Sequence, residues 1–278
     1  MNNHCLLINC PDQKGLIYKI SKVIYEENLN IEKQSEYVDK ENKHFFLRTE
    51  ISGDIDNSKL ISKIQNACGL EINISSLPPK KKKIVILSGK ELHCAGDLFL
   101  RHYSEELNFN IQAIISNHSK IKSLADKFSL PFHYIPHKDL KRELHEEEVA
   151  KIINEYSPDL IILAKYMRVL TNNFTSQFQN RIINIHHSFL PAFIGARPYH
   201  QAFKRGVKVI GATAHFINEE LDQGPIIAQD VIRVDHSKEP EQLIWAGQNI
   251  EKAVLAKAVR LYCENRIFVH RNKTIVFD

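Results

Sequence analysis

The densest group of polar residues follows an apolar segment in the second half of the chain. Asn184 and His186 stand two positions apart, and Asp222 lies in an acidic loop downstream. Residues i and i+2 of an extended segment point the same way, so Asn184 and His186 should face one point while His187 faces elsewhere. These groups suit acyl transfer. The carboxylate can take a proton from water or an amine, and the amide and imidazole can stabilise an oxyanion.

Metal chemistry fits the same histidines less well. His186 and His187 would face opposite ways, and the sequence contains no His-Glu-x-x-His pattern. The 5 cysteines are odd in number and form no Cys-x-x-Cys pair, which favours reduced thiols over a disulfide framework or a zinc site. We therefore expect no metal.

Composition places the chain among globular proteins. Its 278 residues are 43% hydrophobic and 25% charged, with only 10 glycines and 10 prolines, so one large domain or two modest ones fit better than a disordered chain. No apolar run approaches the roughly 18 residues of a membrane span, and the first residues lack a secretory-signal pattern. The net charge of +4 is too diffuse to indicate nucleic-acid binding. We predict a soluble, cytoplasmic protein that binds neither membranes nor nucleic acid.

Prolines and lysines near position 80 mark a domain boundary. Residues 75–83 are two serines, a leucine, two prolines and four lysines. Such a run does not continue a helix or a central strand, so we predict an exposed linker at 79–83. The linker separates a domain at 1–78 from a domain at 84–278.

Both predicted domains are of α/β type. The first has the order βαββαβ, closing with a strand at 70–74, which is a ferredoxin-like layout. The second alternates short apolar runs with amphipathic stretches such as 143–156, which predicts a mostly parallel sheet with helices on both faces. Apolar residues in helical register predict a long helix at about 240–263.

The polar residues belong to a motif that resembles the formyltransferase fold, whose members handle formyl-tetrahydrofolate. The likeness is carried by residues 184–191, which read NIHHSFLP, and by residues 221–224, which read LDQG. It implies a Rossmann-like domain in which Asn184, His186 and Asp222 carry the formyl chemistry. Residues 163–170 resemble the strand and loop that hold the pterin. The resemblance thus implies a set of substrate-binding residues: Arg168, Val169, Leu170, Leu221 and His215. Two interpretations of His215 stay open: it hydrogen-bonds the Asp222 region and fixes its protonation, or it is a histidine packed within its strand.

The first domain resembles an ACT domain at residues 12–16 and 28–31. An ACT domain joined to a formyltransferase-fold domain is the arrangement of the formyltetrahydrofolate deformylase family, and the likeness covers essentially the whole chain. It implies hydrolysis of 10-formyltetrahydrofolate to formate and tetrahydrofolate in one-carbon and purine metabolism, with folate as the substrate and no cofactor. It also implies a homo-oligomer with a small amino-acid effector bound near Asp12, Gly15 and Asn30.

Departures from the transferases favour hydrolysis. Glycinamide ribonucleotide transferase holds its substrate phosphate in a glycine-rich loop, whereas residues 88–97 here lack closely spaced glycines. His187 stands where the transferases usually have proline, and Arg197 receives no role. Two alternatives stay open, namely a formyl transferase with an amine acceptor and a catalytically silent folate-binding regulator.

Overall fold

The computed structural model of the chain describes residues 3–69, 72–77, 80–138, 140–192 and 198–278. Three positions named from the sequence lie outside them: Leu70 of the expected strand, Pro79 of the expected linker, and Arg197. The chain divides into two compact units. Unit 1 comprises Met1–Lys80, Asn265–Phe268 and Ile275–Asp278, and unit 2 comprises Lys81–Glu264 and Val269–Thr274.

Unit 1 contains an antiparallel sheet with the strand order β2-β3-β1-β4. Its elements are β1 (Asn3–Pro11), α1 (Leu16–Glu26), β2 (Asn30–Asp39), β3 (His44–Ser52), α2 (Asn57–Cys68) and β4 (Asn73–Leu77). The buried apolar residues of both helices form one core with β1 and β3. The expected βαββαβ order is confirmed.

Both ends of the polar run at 75–83 lie in strands, and the second of these strands overlaps the predicted linker at 79–83. Ser75 pairs with Leu7 of β1, so the serines belong to β4. Lys82 and Lys83 pair with β6 and begin β5. Strand β4 lies at the edge of its sheet. An edge strand needs a partner on one side only and tolerates polar residues, which a pattern of buried central strands does not anticipate.

Unit 2 contains a sheet with the strand order β11-β10-β9-β8-β5-β6-β7. Its strands are β5 (Lys82–Ser88), β6 (Phe109–Ser116), β7 (Phe132–Tyr134), β8 (Leu160–Ala164), β9 (Ile182–His186), β10 (Val209–Phe216) and β11 (Ile226–Arg233). Its helices are α3 (His93–Tyr103), α4 (Lys122–Lys127), α5 (Arg142–Tyr156), α6 (Asn172–Gln177), α7 (Pro198–Arg205) and α8 (Pro240–Cys263). Strands β5 to β9 pair in parallel, and β10 and β11 pair antiparallel, so the expected mostly parallel sheet is confirmed.

A C-terminal hairpin was not anticipated from the sequence. Strands β12 (Ile267–His270) and β13 (Lys273–Val276) form a separate two-stranded sheet. Within unit 1, the Arg48 Nε donates to the Asn265 carbonyl at 3.0 Å, and the rings of Phe46 and Phe268 lie 5.5 Å apart. Part of the segment that the sequence placed in the second domain therefore packs in unit 1, because it offers aromatic and backbone partners there.

The parallel strands of unit 2 bring the chemistry-bearing residues to the side of the sheet where the carboxyl ends of the strands lie. All five residues of β8 are buried, and β9 beside it is buried at four of its five positions. The carboxyl ends of such strands border the ligand crevice of open α/β sheets.

Among the described residues, no helix has both the length and the apolarity needed to cross a membrane.

Candidate active site

Strands β9 and β10 position the polar residues. Asn184 and His186 lie on β9, and the antiparallel register places His215 of β10 opposite Asn184. Asp222 lies in the loop at 217–225, which connects β10 to β11. The structure therefore brings together Asn184, His186 and Asp222 from two separate parts of the chain.

His186 and Asp222 form the central pair of the site. The His186 Nδ1 donates to Asp222 Oδ1 across 3.2 Å. This hydrogen bond is the largest cause that lowers the pKa of the Asp222 carboxyl below its ordinary value. The opposite ring nitrogen, His186 Nε2, is buried and has no hydrogen-bond partner among the described residues. A buried polar atom without a partner costs stability, so Nε2 is available for a ligand.

His215 supports Asn184 and does not line the cleft. Its Nδ1 donates to the Phe216 carbonyl at 2.9 Å, so its Nε2 accepts from the Asn184 Nδ2 at 3.3 Å. Burial lowers the pKa of His215, which favours this neutral form. Its Nε2 lies 3.8 Å from Asp222 Oδ1, beyond hydrogen-bond distance. The strand register thus directs His215 to Asn184, and the expected hydrogen bond to Asp222 is not formed. A role of His215 in substrate binding stays a prediction.

Close backbone packing shapes the loop that carries Asp222. A Cβ on Gly224 would lie 1.8 Å from the Phe216 carbonyl oxygen, so no larger residue fits there without moving the backbone. The Phe216 amide donates to the Pro225 carbonyl at 2.9 Å, which closes the loop. Asp222 itself adopts a left-handed conformation with φ of 57°. Non-glycine residues rarely take that conformation, so the loop holds Asp222 in place.

A cleft of about 490 Å³ opens beside these groups. Asn184, His186 and Asp222 lie on one part of its lining, and the segment 165–170 forms another part. Its volume is within the range of about 300–1,000 Å³ that suits small-molecule ligands. Four of the residues expected to bind folate line this cleft: Arg168, Val169, Leu170 and Leu221. Their role in folate binding stays a prediction.

His187 was expected to face away from the site, and the structure differs. It lines the same cleft, and its ring lies 5.2 Å from the His186 ring. Strand β9 ends at His186, so the alternation of faces does not extend to the next residue. Burial is the main cause that lowers the pKa of His187 to about 4, so the ring is neutral at pH 7.

A buried ionic network adjoins the cleft and was missed in the sequence. Glu251 of α8 accepts hydrogen bonds from His93 Nε2 at 2.7 Å and Tyr199 Oη at 2.6 Å, and the Lys165 Nζ lies 3.3 Å away. Lys165 also lines the cleft. A Cβ on Gly247 would lie 2.1 Å from the Tyr199 oxygen, so this glycine lets the phenol reach Glu251. The sequence signal for this network was Glu251, a charged residue on the apolar face of the helix predicted at about 240–263.

The described residues contain one group with the composition of a metal site. Ligand atoms of His93, Cys94 and Glu251 lie within 4.8 Å of one another. Lys165 and Tyr199 contact the same carboxylate, so hydrogen bonds and an ammonium already neutralise its charge. Burial raises the pKa of the Cys94 thiol well above its ordinary value, which disfavours the thiolate that a metal binds. This donor set therefore fits a metal poorly.

The structure separates the residues expected to bind an effector in unit 1. Asp12 and Gly15 lie in the turn between β1 and α1, where Gly15 has a φ of 89°. Asn30 begins β2 and pairs with Ser52, whereas the end of β1 pairs with His44 at the other end of β3. At about 3.4 Å per residue, Asn30 lies about 27 Å along the sheet from that turn. Asn30 of the same copy therefore does not reach it, because the strand register places the two at opposite ends.

Known proteins with similar sequences or structures share this architecture. The formyl transferase family matches residues 82–259. A formyltetrahydrofolate deformylase of Haemophilus influenzae is 51% identical over 98% of both chains. The crystal structure of a formyltetrahydrofolate deformylase from Pseudomonas syringae pv. tomato is 38% identical, with a TM-score of 0.94, covering 100% of this chain and 95% of that one.

A transferase is similar to only part of the chain. Glycinamide ribonucleotide transformylase 1 of Symbiobacterium toebii is 27% identical, with a TM-score of 0.68, and its similarity covers 71% of this chain and 95% of that one. The deformylases, in contrast, match nearly the full length at higher identity. On its sequence, its two-unit architecture and its assembled Asn-His-Asp site, the chain belongs to the formyltetrahydrofolate deformylase family.

Proposed function

We propose that this protein hydrolyses 10-formyltetrahydrofolate to formate and tetrahydrofolate in the cleft of unit 2. The observation that carries this proposal is the hydrogen bond between His186 and Asp222 at 3.2 Å, beside Asn184 and a cleft of about 490 Å³. A carboxylate, an imidazole and an amide that converge on one space can activate water and stabilise an oxyanion. Membership of the deformylase family supports the same reaction.

In the proposed mechanism, Asp222 holds a water molecule and accepts its proton as the oxygen attacks the formyl carbon. The Asn184 amide and His186 Nε2 donate hydrogen bonds to the oxyanion that forms. The His215 ring keeps the Asn184 amide in position, because its Nε2 accepts one N–H of that amide. For this step His186 carries a proton on each ring nitrogen. The carbon–nitrogen bond then breaks as His186 Nε2 gives its proton to the departing folate nitrogen. The proton that Asp222 took from water returns to His186, and the product leaves as formate after releasing its acidic proton to solvent.

The folate itself would lie along the segment 165–170. Val169 and Leu221 are half exposed at the cleft, with 54% and 58% of their surface accessible, so they can cover a flat apolar ring. Arg168 adds a positive charge for an anionic part of the substrate. The proposal includes no metal and no bound cofactor, and it places the enzyme in the cytoplasm.

Formyl transfer to an amine is the less favoured alternative. Relatives that cover nearly the whole chain are named deformylases, whereas the transferase similarity covers 71% of the chain. A catalytically silent folate-binding protein is disfavoured by the assembled site, since a binding role alone would not require Asp222 to face His186.

Substitution of the carboxylate tests the mechanism. Asp222→Asn should retain folate binding and lose about 10²–10⁴-fold in kcat for formate release, because an amide does not accept the proton from water. Asp230→Asn on β11 is the matched control and should behave as the unmodified enzyme. More than half of the original kcat in Asp222→Asn would refute the assignment. Formylated amine produced on adding candidate acceptors, in place of formate, would support the transferase.

Unit 1 is proposed to form the homo-oligomer and to bind a small amino-acid effector. Asp12 can hold an ammonium group, and Gly15 permits close approach, since no atom lies within 4 Å of the position of a Cβ there. Because Asn30 lies at the other end of the sheet, a site with all three residues requires Asn30 from a second copy.

A panel of amino acids tests this role in the full chain. Light scattering should show an oligomer, and formate release should respond to one amino acid in the unmodified protein. Asp12→Ala should abolish that response and leave the basal rate unchanged, whereas Asp54→Ala, an exposed carboxylate in the same unit, should retain it. An equal response in both variants would exclude the proposed effector site, and a monomer would exclude the oligomer.

A further inference from the structure

The tip of the C-terminal hairpin contacts the loop that carries Asp222. Asn272 stands in the turn between β12 and β13, and its Nδ2 donates to the Gln223 carbonyl at 2.9 Å. Its Oδ1 accepts from the Asn218 Nδ2 at 3.4 Å. One side chain therefore bridges two points of the loop, and one of them is the residue that follows Asp222.

A second contact holds the end of the same loop. The Thr274 hydroxyl of β13 donates to the Ile226 carbonyl, where β11 begins. Inside the loop, the Glu220 amide donates to Asn218 Oδ1 at 3.1 Å, and the Gln223 amide donates to the Glu220 carbonyl at 3.3 Å. The hairpin thus supplies its hydrogen bonds at Asn218, Gln223 and Ile226, on both sides of Asp222.

The hairpin lies outside the region shared with the formyl transferase family, which ends at residue 259. We propose that Asn272 is a positioning residue that holds the catalytic loop so that Asp222 faces His186. This inference rests on the proposed role of Asp222 as the proton acceptor. It adds a contribution from the C-terminal hairpin that the family fold at 82–259 does not itself contain.

The backbone conformation of Asp222 explains why its loop needs the hydrogen bonds from the hairpin. Its φ of 57° is uncommon for a non-glycine residue, although aspartate adopts it more readily than most, so hydrogen bonds on both sides help to hold the loop in this conformation. Three groups lie near the carboxylate: His186 of β9 at 3.2 Å, His215 of β10 at 3.8 Å, and the neutral ring of His187, which directly follows β9. The remaining carboxylates of the loop are Glu219 and Glu220. A shift of the Asp222 carboxylate by about 1 Å can lower the catalytic rate by as much as about 10²-fold. Such a shift weakens both the hydrogen bond to His186 and the contact with the attacking water.

Asn272→Leu is the sharpest test, because it keeps the approximate shape of the exposed side chain and adds no charge near Asp222. It removes the donor to the Gln223 carbonyl and the acceptor for Asn218. We expect a kcat about 10-fold lower and a KM changed less than 2-fold. In the pH profile of kcat, the acid limb should move to higher pH, because Asp222 loses its bond to His186. Arg271→Gln is the control in the same turn, and it should match the unmodified enzyme.

Three results would overturn the inference. These are an unchanged kcat in Asn272→Leu, an equal loss in Arg271→Gln, and a lower kcat with an unshifted acid limb, which would indicate a general loss of order. If Asn272→Leu unfolds, Thr274→Val removes only the second hairpin contact and should show the same shift at smaller size. An unmoved acid limb in Thr274→Val would then contradict the positioning role. Asp222→Asn measured in parallel separates the two proposals, since activity retained there refutes the catalytic role itself.

Discussion

Neutralising Glu251 should destabilise unit 2 by an amount that follows from its contacts. Burial alone raises the pKa of this carboxyl, but the hydrogen bonds from His93 and Tyr199 and the neighbouring ammonium outweigh it and lower the pKa from 4.5 to about 2. At about 1.4 kcal/mol per pKa unit, the charged form contributes roughly 3 kcal/mol to folding. Glu251→Gln imitates the protonated carboxyl, so it should lower the free energy of unfolding by about that much.

The loss should be visible in thermal unfolding at pH 7. For a unit of this size, about 3 kcal/mol corresponds to a fall in Tm of roughly 6–12 °C. Because the folded pKa lies below the unfolded one, the unmodified protein holds this stabilisation above pH 4.5 and loses it as the pH falls toward about 2. The free energy of Glu251→Gln should therefore change less over that interval.

A double-substitution cycle identifies the cause. Glu251→Gln leaves the Lys165 ammonium buried without its carboxylate, and Lys165→Met removes that charge, so the double variant should lose less than the sum of the single losses. Glu241→Gln, at the exposed start of the same helix, should cost less than about 1 kcal/mol. A stability of Glu251→Gln within 1 kcal/mol of the unmodified protein, or strict additivity in the cycle, would refute the reasoning.

Further outcomes follow from the site. His186→Ala should move the acid limb of the residual kcat/KM to higher pH, because it removes the bond that lowers the pKa of Asp222; an unmoved limb would contradict that cause. Burial lowers the pKa of His187 to about 4, so its ring resonances in NMR should not titrate between pH 6 and 8, and a midpoint near 6.5 would show that the ring is solvated. Gly247→Ala should lower the free energy of unfolding in denaturant by about 1–3 kcal/mol, because its Cβ meets Tyr199, although alanine favours helices by about 1 kcal/mol; equal stability would show that the phenol moves without cost.

Much of the fold could be predicted because its signals are local. The apolar runs of β5, β8 and β9 are continuous and short, and the register of α8 spans Pro240–Cys263 as expected. The pairing of Asn184 with His186 follows from the two-residue period of a strand alone. The resemblance then selected Asp222 from among many carboxylates, which spacing did not do.

The positions of other site residues depend on how distant strands pair and on where each strand ends. The resemblance placed Asn30 and Asp12 in one effector site, but the pairing of three strands places them at opposite ends of the sheet. His187 enters the cleft because β9 ends one residue earlier, and the direction of a side chain beyond a strand end depends on the surrounding packing.

The sequence by itself determined the two α/β units and the strand that carries Asn184 and His186, and its resemblance to a known family singled out Asp222. Only the tertiary structure decided that His215 bonds to Asn184 and that Asn272 contacts the loop of Asp222. It also decided that Glu251 contacts His93, Lys165 and Tyr199. The physical reason is separation along the chain. Periodicity reports what a segment buries, whereas a hydrogen bond between distant segments exists only after the backbone has brought its donor and acceptor together.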